Sequence, residues 1–220
     1  MRKLLFALAG LAAFSAHAIP QIVRENIEWL DVWIPNTNDK ALPRVLIAGD
    51  SITRDYGRQV EVILKEKAYV ARLATSKSLG DPALLDQVAL VLREHRFDII
   101  HFNNGMHGEG YSEQAYAASL PQLLATLKRE APHARIILCT TTDVRERNQL
   151  ENAAPKSERM VRRNTLLLKF AMAENITVND LYAVVAGHPE YHAPDGVHFN
   201  EKGSAALAAQ VAAAIAKLLP

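Results

Sequence analysis

The sequence predicts an α/β protein with three layers, in which a sheet of five parallel strands lies between two layers of helices. Two observations predict this class. Short apolar runs alternate with stretches of helical periodicity, and each strand-like run is followed by a helix. The chain has 220 residues, of which 49% are hydrophobic, so it is long enough to bury a core of this kind. We expect residues 43–220 to form one domain.

The alternation resolves into five predicted strands and five predicted helices. The strands are expected at 44–48, 69–73, 98–103, 134–140 and 176–179. The helices are expected at 56–67, 82–95, 112–130, 157–174 and 204–219. Near-continuous apolar runs are typical of parallel strands that are buried on both faces. Ligands bind beyond the carboxyl ends of such strands, so the loops that follow the strands are the expected site.

Two segments fall outside the alternation of strands and helices. Residues 19–42 form a lead-in that contains both tryptophans, Trp29 and Trp33. Residues 143–156 form a polar connection, which is either a flap that faces the substrate or a solvated linker.

Residues 1–18 have the pattern of a signal peptide. Met1-Arg2-Lys3 is a charged start, Leu4 to Phe14 is an apolar stretch, and Ser15 to Ala18 supplies a small-x-small cleavage site. The apolar stretch is shorter than the roughly 20 residues that span a bilayer. We therefore expect cleavage after Ala18, a periplasmic or secreted protein, and no stable membrane insertion after cleavage.

The charge and cysteine content exclude some classes of partner and bond. Lys and Arg number 25 against 24 Asp and Glu, so a net charge of +1 provides no electrostatic basis for binding nucleic acid. Cys139 is the only cysteine, which rules out an intramolecular disulfide. Because Cys139 lies in an apolar strand-like run, we predict a buried structural thiol. No pattern in the chain indicates an oligomeric state.

A nucleophile candidate follows the first predicted strand. Gly49-Asp50-Ser51 places a serine where a tight turn leads into a helix, and backbone N–H groups at a helix N-terminus favour developing negative charge. An Asp-Ser helix cap would have the same sequence, and the Gly-x-Ser-x-Gly pattern of ordinary α/β-hydrolases is missing.

A base and an acid follow near the C-terminus. In Asp195-Gly196-Val197-His198 the carboxylate and the imidazole share one short loop, so Asp195 can orient His198 while the other ring nitrogen faces Ser51. Together with Gly49-Asp50-Ser51, this arrangement predicts a Ser51–His198–Asp195 catalytic triad. A metal site built from His188, His192 and His198 is disfavoured because their spacing matches no familiar ligand pattern.

These motifs resemble those of the SGNH, or GDSL-type, hydrolase superfamily, over most of the chain from about Arg44 onwards. The superfamily has a serine block, a glycine block, an asparagine block and a closing Asp-x-x-His pair. The resemblance implies a flavodoxin-like fold and ester or thioester hydrolysis through a serine acyl-enzyme, with no cofactor. In the second block it implies that the N–H of Gly80 joins that of Ser51 as an oxyanion donor.

The third block departs from the superfamily pattern of Gly-x-Asn-Asp. Here the segment reads Asn103-Asn104-Gly105-Met106-His107-Gly108, so that Gly105 falls on the glycine and His107 on the asparagine. The third oxyanion donor is then either His107, if its tautomer permits, or Asn104, if the loop bends back.

The expected function is a secreted or periplasmic serine esterase that acts on small acyl groups of a small-molecule or carbohydrate ester, including O-acetyl groups on carbohydrate. The alternatives are a non-catalytic carbohydrate-binding or scaffold protein on the same fold, and an acyltransferase or lipase that uses the same triad. Arg159, Arg162 and Arg163 are interpreted as the polar face of a helix rather than an anion site.

Overall fold

The computed structural model describes residues 22–220, and the predicted signal peptide at 1–18 lies outside the described residues. The strands are β1 (Leu30–Trp33), β2 (Arg44–Gly49), β3 (Tyr69–Thr75), β4 (Ile99–Phe102), β5 (Arg135–Cys139), β6 (Arg145–Glu146), β7 (Gln149–Ala153) and β8 (Thr177–Asn179). The helices are α1 (Ser51–Ile63), α2 (Pro82–Glu94), α3 (Glu113–Glu130), α4 (Pro155–Ala173), α5 (Leu181–Val185) and α6 (Glu201–Ala216).

The predicted α/β fold class is confirmed, but the main sheet has six strands rather than five. Its order is β1-β3-β2-β4-β5-β8, and all neighbours are parallel except β1, which pairs antiparallel with β3. Without β1 the order is 2-1-3-4-5, that of flavodoxin. The sequence did not predict β1 because it is an edge strand whose side chains stay exposed, with Leu30 at 48% and Trp33 at 52%. It therefore lacks a buried apolar run.

The core lies on both faces of the sheet because adjacent residues of each central strand point to opposite faces. On one face Val45 and Ile47 of β2 pack with apolar residues of α1 and α6. On the other face Leu46 and Ala48 pack with those of α2, α3 and α4. Burial on both faces explains the continuous apolar run that predicted β2.

Helix α1 begins at Ser51, five residues before the predicted start at Tyr56. The cause is Asp50, whose carboxylate accepts a hydrogen bond from the N–H of Ile52 at 3.1 Å and so caps the helix. The earlier start places Ser51 in the first turn of α1, directly beyond the carboxyl end of β2.

The chain winds to opposite sides of β2, with β3 on one side and β4 on the other. The carboxyl ends of β2 and β4 therefore form the topological switch point of the sheet, where α/β proteins bind ligands. Ser51 follows β2 and His107 lies in the loop after β4, so both residues belong to the loops at this point.

Cys139 is fully buried, as predicted, and belongs to a polar cluster between strands. Its Sγ lies 3.1 Å from Nε2 of His101, and the side-chain amide of Asn179 lies 3.0 Å from the same nitrogen. Burial raises the pKa of the Cys139 thiol and lowers that of His101 to about 3, so both groups are neutral at pH 7.

Candidate active site

The turn between β2 and α1 places the candidate nucleophile. A Cβ atom at Gly49 would lie 2.1 Å from Oγ1 of Thr53 and 2.5 Å from the carbonyl oxygen of Asn103, so only glycine permits this close approach. The tight turn brings Ser51 to the N-terminus of α1, where its own N–H has no carbonyl one helical turn earlier to bind.

The structure joins the three predicted triad residues through two short hydrogen bonds. Ser51 Oγ lies 2.8 Å from His198 Nε2, and His198 Nδ1 lies 2.7 Å from Asp195 Oδ2. The second oxygen, Asp195 Oδ1, accepts from the backbone N–H groups of Val197 and His198, each at 2.9 Å. This is the geometry in which a base can take the serine proton while a carboxylate holds the imidazole.

Opposing effects act on the pKa of Asp195. Burial raises it, but the hydrogen bonds from the His198 ring and from the backbone N–H groups of His198 and Val197 outweigh burial and lower it to about 2. Asp195 is therefore ionised at neutral pH and can stabilise a positive charge on His198. The neighbour of the serine, Asp50, is only 1% exposed, and its burial raises its pKa.

The polar connection at 143–156 folds into a hairpin that supports the loop carrying Asp195 and His198. Arg145 N–H donates to the carbonyl of Gly196 at 2.8 Å, and Asn148 N–H donates to that of Pro194 at 2.9 Å. Gly196 has a φ of +75°, and a Cβ atom there would lie 2.1 Å from the Arg145 carbonyl oxygen. Glycine is thus required where the hairpin meets this loop.

A buried ionic cluster joins the hairpin to the same loop. The carboxylate of Asp143 lies 2.7 Å from Nε of Arg145 and 3.1 Å from Nε2 of His192. His188 pairs separately with Glu190 at 2.9 Å. The histidines of this stretch therefore face different carboxylates, and residues 22–220 contain no group of three or more His, Cys, Asp or Glu side chains placed to hold a metal ion.

Gly80 lies in the loop after β3, just before Asp81, which caps α2. A Cβ atom at Gly80 would lie 2.8 Å from ring carbons of Tyr111, so the ring packs directly on its backbone. No hydrogen bond in the described residues joins Gly80 to the triad, and its N–H has no partner there.

His107 and Asn104 occupy different surroundings in the loop after β4. The side-chain amide of Asn104 is buried and donates to the carbonyl of Lys77 at 2.9 Å. The His107 ring is 21% exposed, its Nδ1 lies 3.4 Å from Oε1 of Glu25, and the ring forms a T-shaped pair with that of Trp29, with 6.4 Å between centroids. Asn104 is thus turned towards the β3 loop, whereas His107 lies at the open rim.

The prediction that all three arginines of α4 lie on its polar face is wrong for Arg163. Its side chain is 2% exposed, and its guanidinium donates to the carbonyls of Gly105, His107 and Gly108, the last two at 2.7 and 2.9 Å. Arg162 is exposed, as predicted. Arg163 therefore holds the loop that carries His107.

Sequence reasoning missed the roles of Arg163, Glu25 and Trp29. A signal existed for Arg163, because it lies among the buried positions Met160, Asn164 and Leu167 at helical spacing. No local signal existed for Glu25 or Trp29, whose contacts with the rim are made by a segment without regular structure.

The fold and the Ser51–His198–Asp195 chain define a hydrolase of the flavodoxin-like α/β class. The sequence profile of the GDSL-like lipase/acylhydrolase family matches residues 47–206, so the chain belongs to that family, whose chemistry is ester hydrolysis. The match confirms the resemblance to the SGNH/GDSL superfamily. Among proteins with curated descriptions, none matches the chain.

Solved structures of similar fold include several esterases. A carbohydrate acetylesterase family member from Sinorhizobium meliloti has a TM-score of 0.65 and 17% identity, over 81% of this chain and 99% of that one. A carbohydrate esterase family 3 protein from Talaromyces cellulolyticus has a TM-score of 0.64 and 15% identity, over 80% of this chain and 98% of that one. A GDSL-like lipase from Bacteroides thetaiotaomicron has a TM-score of 0.58 and 18% identity, over 80% of this chain and 89% of that one. At these identities the likeness shows the fold alone.

Proposed function

We propose that this protein is an exported serine esterase that removes small acyl groups, including O-acetyl groups on carbohydrate, through an acyl-enzyme. The observation that carries the proposal is the continuous hydrogen-bonded chain from Ser51 Oγ through the His198 ring to the Asp195 carboxylate, with links of 2.8 and 2.7 Å. A protein that only binds its ligand has no need of this chain.

In the first half of the reaction, Ser51 Oγ attacks the ester carbonyl carbon while His198 Nε2 takes the serine proton. The imidazolium that forms is stabilised by Asp195. His198 then returns the proton to the alkoxy oxygen as the C–O bond breaks, which releases the alcohol and leaves an acyl group on Ser51. In the second half, a water molecule loses its proton to His198 and attacks the acyl carbon. The bond from that carbon to Ser51 Oγ then breaks as His198 returns the proton to the serine oxygen, and the carboxylic acid leaves.

Three donors are proposed for the oxyanion: the backbone N–H groups of Ser51 and Gly80, and the ring of His107. The first two are free of partners within the described residues, and Ser51 lies at the N-terminus of α1, where the helix dipole favours negative charge. His107 is preferred to Asn104 because the Asn104 amide is buried and already donates to Lys77.

The substrate class is supported by features outside the triad. Two of the solved structures of similar fold are described as carbohydrate esterases, one of them as a carbohydrate acetylesterase. The N-terminal sequence supports export, which would bring the protein to acylated carbohydrate outside the cytoplasm. None of the helices between residues 22 and 220 is long and apolar enough to cross a membrane.

The test is the Ser51→Ala variant with p-nitrophenyl acetate as substrate. We expect hydrolysis to be lost and the far-UV circular dichroism spectrum to be unchanged, whereas Ser119→Ala, on α3, should behave as wild type. An organophosphate probe should add a covalent mass to the wild type and not to Ser51→Ala. Retained hydrolysis by Ser51→Ala, or a wild type that is not labelled, would refute the proposal and favour a binding protein.

The acyl preference is tested with p-nitrophenyl esters from acetyl to palmitoyl and with acetylated xylan. We expect activity to fall as the acyl chain lengthens and acetate to be released from the polysaccharide. A preference for long chains would contradict the small-acyl part of the proposal and favour a lipase.

A further inference from the structure

Residues 23–29, called here the rim segment, are attached to the loops that carry the proposed oxyanion donors. Val23 N–H donates to the Tyr111 hydroxyl at 2.9 Å, and Trp29 N–H donates to Ser76 Oγ at 3.0 Å. Ion pairs add two further anchors, which are Arg24–Asp81 and Glu28–Lys77. The rim segment therefore lies across the loops after β3 and β4, although it is far from them in sequence.

Within the rim segment, Glu25 makes two contacts with the loop after β4. Its Oε1 accepts a hydrogen bond from the Gly108 N–H at 3.1 Å and lies 3.4 Å from Nδ1 of His107. The other ring nitrogen of His107, Nε2, has no hydrogen-bond partner among residues 22–220. One nitrogen of the ring is thus held by a carboxylate and the other is available to a ligand.

This arrangement determines what the His107 ring can do chemically. A neutral imidazole has one N–H. If that proton is on Nδ1, facing Glu25, then Nε2 carries a lone pair that repels an oxyanion. If it is on Nε2, the Nδ1 lone pair faces the carboxylate and repels it. Only the imidazolium satisfies Glu25 and an oxyanion together, and a carboxylate beside the ring stabilises that charged form.

We propose that Glu25 is a positioning residue that keeps both nitrogens of His107 protonated, so that Nε2–H donates to the oxyanion. The inference rests on the proposed esterase function. The superfamily asparagine offers a neutral carboxamide, whereas this chain would then use a cationic donor. The carboxylate that keeps this donor charged, Glu25, lies outside residues 47–206, which the family profile matches.

Charged groups of several elements face the His107 ring. The acidic groups are Glu25 of the rim segment, Asp50 at the start of α1 and Glu109 of the same loop. Burial raises the pKa of Asp50 and His107 opposes that rise, whereas the pKa of Glu109 is lowered mainly by Lys156, with a smaller contribution from His107. The basic groups of α4 are Arg163, which binds the His107 carbonyl, and Arg159, which binds that of Glu109. The Trp29 ring packs against the imidazole in a T-shaped pair. Glu25 is the one of these acidic groups that lies within contact distance of Nδ1.

The proposal predicts a bell-shaped pH profile of kcat. Activity falls on the acid side when His198 becomes protonated and cannot act as a base, and on the alkaline side when His107 loses a proton and Nε2 stops donating. An asparagine donor would show no such alkaline limb, because a carboxamide does not titrate.

The test compares Glu25→Gln with Glu28→Gln, which removes a carboxylate of the same segment that pairs with Lys77 instead. We expect Glu25→Gln to lower kcat at pH 8 by about 10²-fold, the order seen when one oxyanion donor is lost. KM should stay within about twofold because the interaction belongs to the transition state. The alkaline limb should begin at a lower pH, because the imidazolium would lose its carboxylate partner. Glu28→Gln should show neither change.

The His107→Asn variant separates a positioning role from a merely structural one. We expect it to remain active, to lose the alkaline limb, and to make the further change Glu25→Gln nearly silent. An equal effect of Glu25→Gln in the wild-type and His107→Asn backgrounds would overturn the proposal, as would identical pH profiles for Glu25→Gln and Glu28→Gln.

A direct measurement does not depend on any variant at position 25. In ¹⁵N NMR of the wild type at pH 7, with His107→Asn used for assignment, both ring nitrogens of His107 should be protonated. A neutral ring would overturn the proposal. Hydrolysis that survives Ser51→Ala would instead refute the esterase function itself, so the two failures are distinguishable.

Discussion

The Arg163→Met variant tests whether the loop after β4 is held in place by a single buried cation. The guanidinium of Arg163 donates to the carbonyls of Gly105, His107 and Gly108 and lies over the Tyr116 ring, 5.3 Å from its centroid. Methionine keeps an unbranched apolar side chain against Tyr116 and removes the donors together with the positive charge over the ring. The variant therefore separates the hydrogen bonds and the charge from the packing.

The expected loss of stability follows from three charge-assisted bonds. Each contributes about 1.5–3 kcal/mol, so a simple sum gives about 4.5–9 kcal/mol. The sum is an upper bound because the three bonds share one group and are not additive, and because the released loop can gain water. We expect Arg163→Met to lower the free energy of unfolding by about 3–5 kcal/mol, the range for breaking a buried charged interaction.

The assay is urea unfolding followed by circular dichroism, together with kcat for p-nitrophenyl acetate. We expect kcat to fall by about 10²-fold or more, since His107 loses its backbone anchor. The matched control is Arg162→Met, because Arg162 is exposed and its 3.6 Å pair with Glu158 should contribute less than about 1 kcal/mol. The reasoning fails if both variants have the same stability, or if Arg163→Met is destabilised with unchanged kcat.

Three further predictions concern other parts of the structure. Asp195→Asn should lower kcat by about 10⁴-fold by removing the acceptor that fixes the His198 tautomer. Burial raises the pKa of Asp195, but hydrogen bonds outweigh burial and lower this pKa from 3.8 to about 2. The ionised Asp195 carboxylate therefore stabilises the fold above pH 3.8, and this stabilisation is lost as the pH falls through about 2. The Tm difference between wild type and Asp195→Asn should shrink over this range. Gly196→Ala should lower Tm and kcat together, because a Cβ atom would collide with the Arg145 carbonyl; an unchanged Tm would contradict this contact. Cys139 should react with a thiol reagent only after unfolding, because it is buried and burial raises its pKa; rapid labelling of the native protein would disprove its burial.

The parts of the fold that could be predicted are those whose cause is local. Strands β2, β3 and β4 are almost wholly buried and β5 is buried in its second half, so each of them appears in the sequence as an apolar run, and the helices between them show their own periodicity. Strand β1 left no such signal because it is an edge strand with exposed side chains. The start of α1 was misplaced because it was taken from the helical periodicity that begins at Tyr56 and not from the possible Asp-Ser cap at Asp50, which the structure contains.

The candidate site likewise has residues that short motifs predict and residues that depend on distant parts of the chain. Ser51, Asp195 and His198 were found because each lies in a short motif with a recognisable residue pattern, and the structure joins them by hydrogen bonds. Arg163 was misassigned because an arginine on a helix is usually solvated. Its burial depends on three carbonyls supplied by a loop more than 50 residues away in sequence.

The sequence by itself determined the order of the five parallel strands and the five long helices, the residues of the candidate triad and the unusual histidine at position 107. These follow from periodicity and from short motifs, which act over a few neighbouring residues. Only the tertiary structure decided that Asn104 turns towards Lys77, that Arg163 holds the loop of His107, and that Glu25 meets the ring of His107. Those contacts join residues that are distant in the chain, and the packing of loops at one edge of the sheet brings them together.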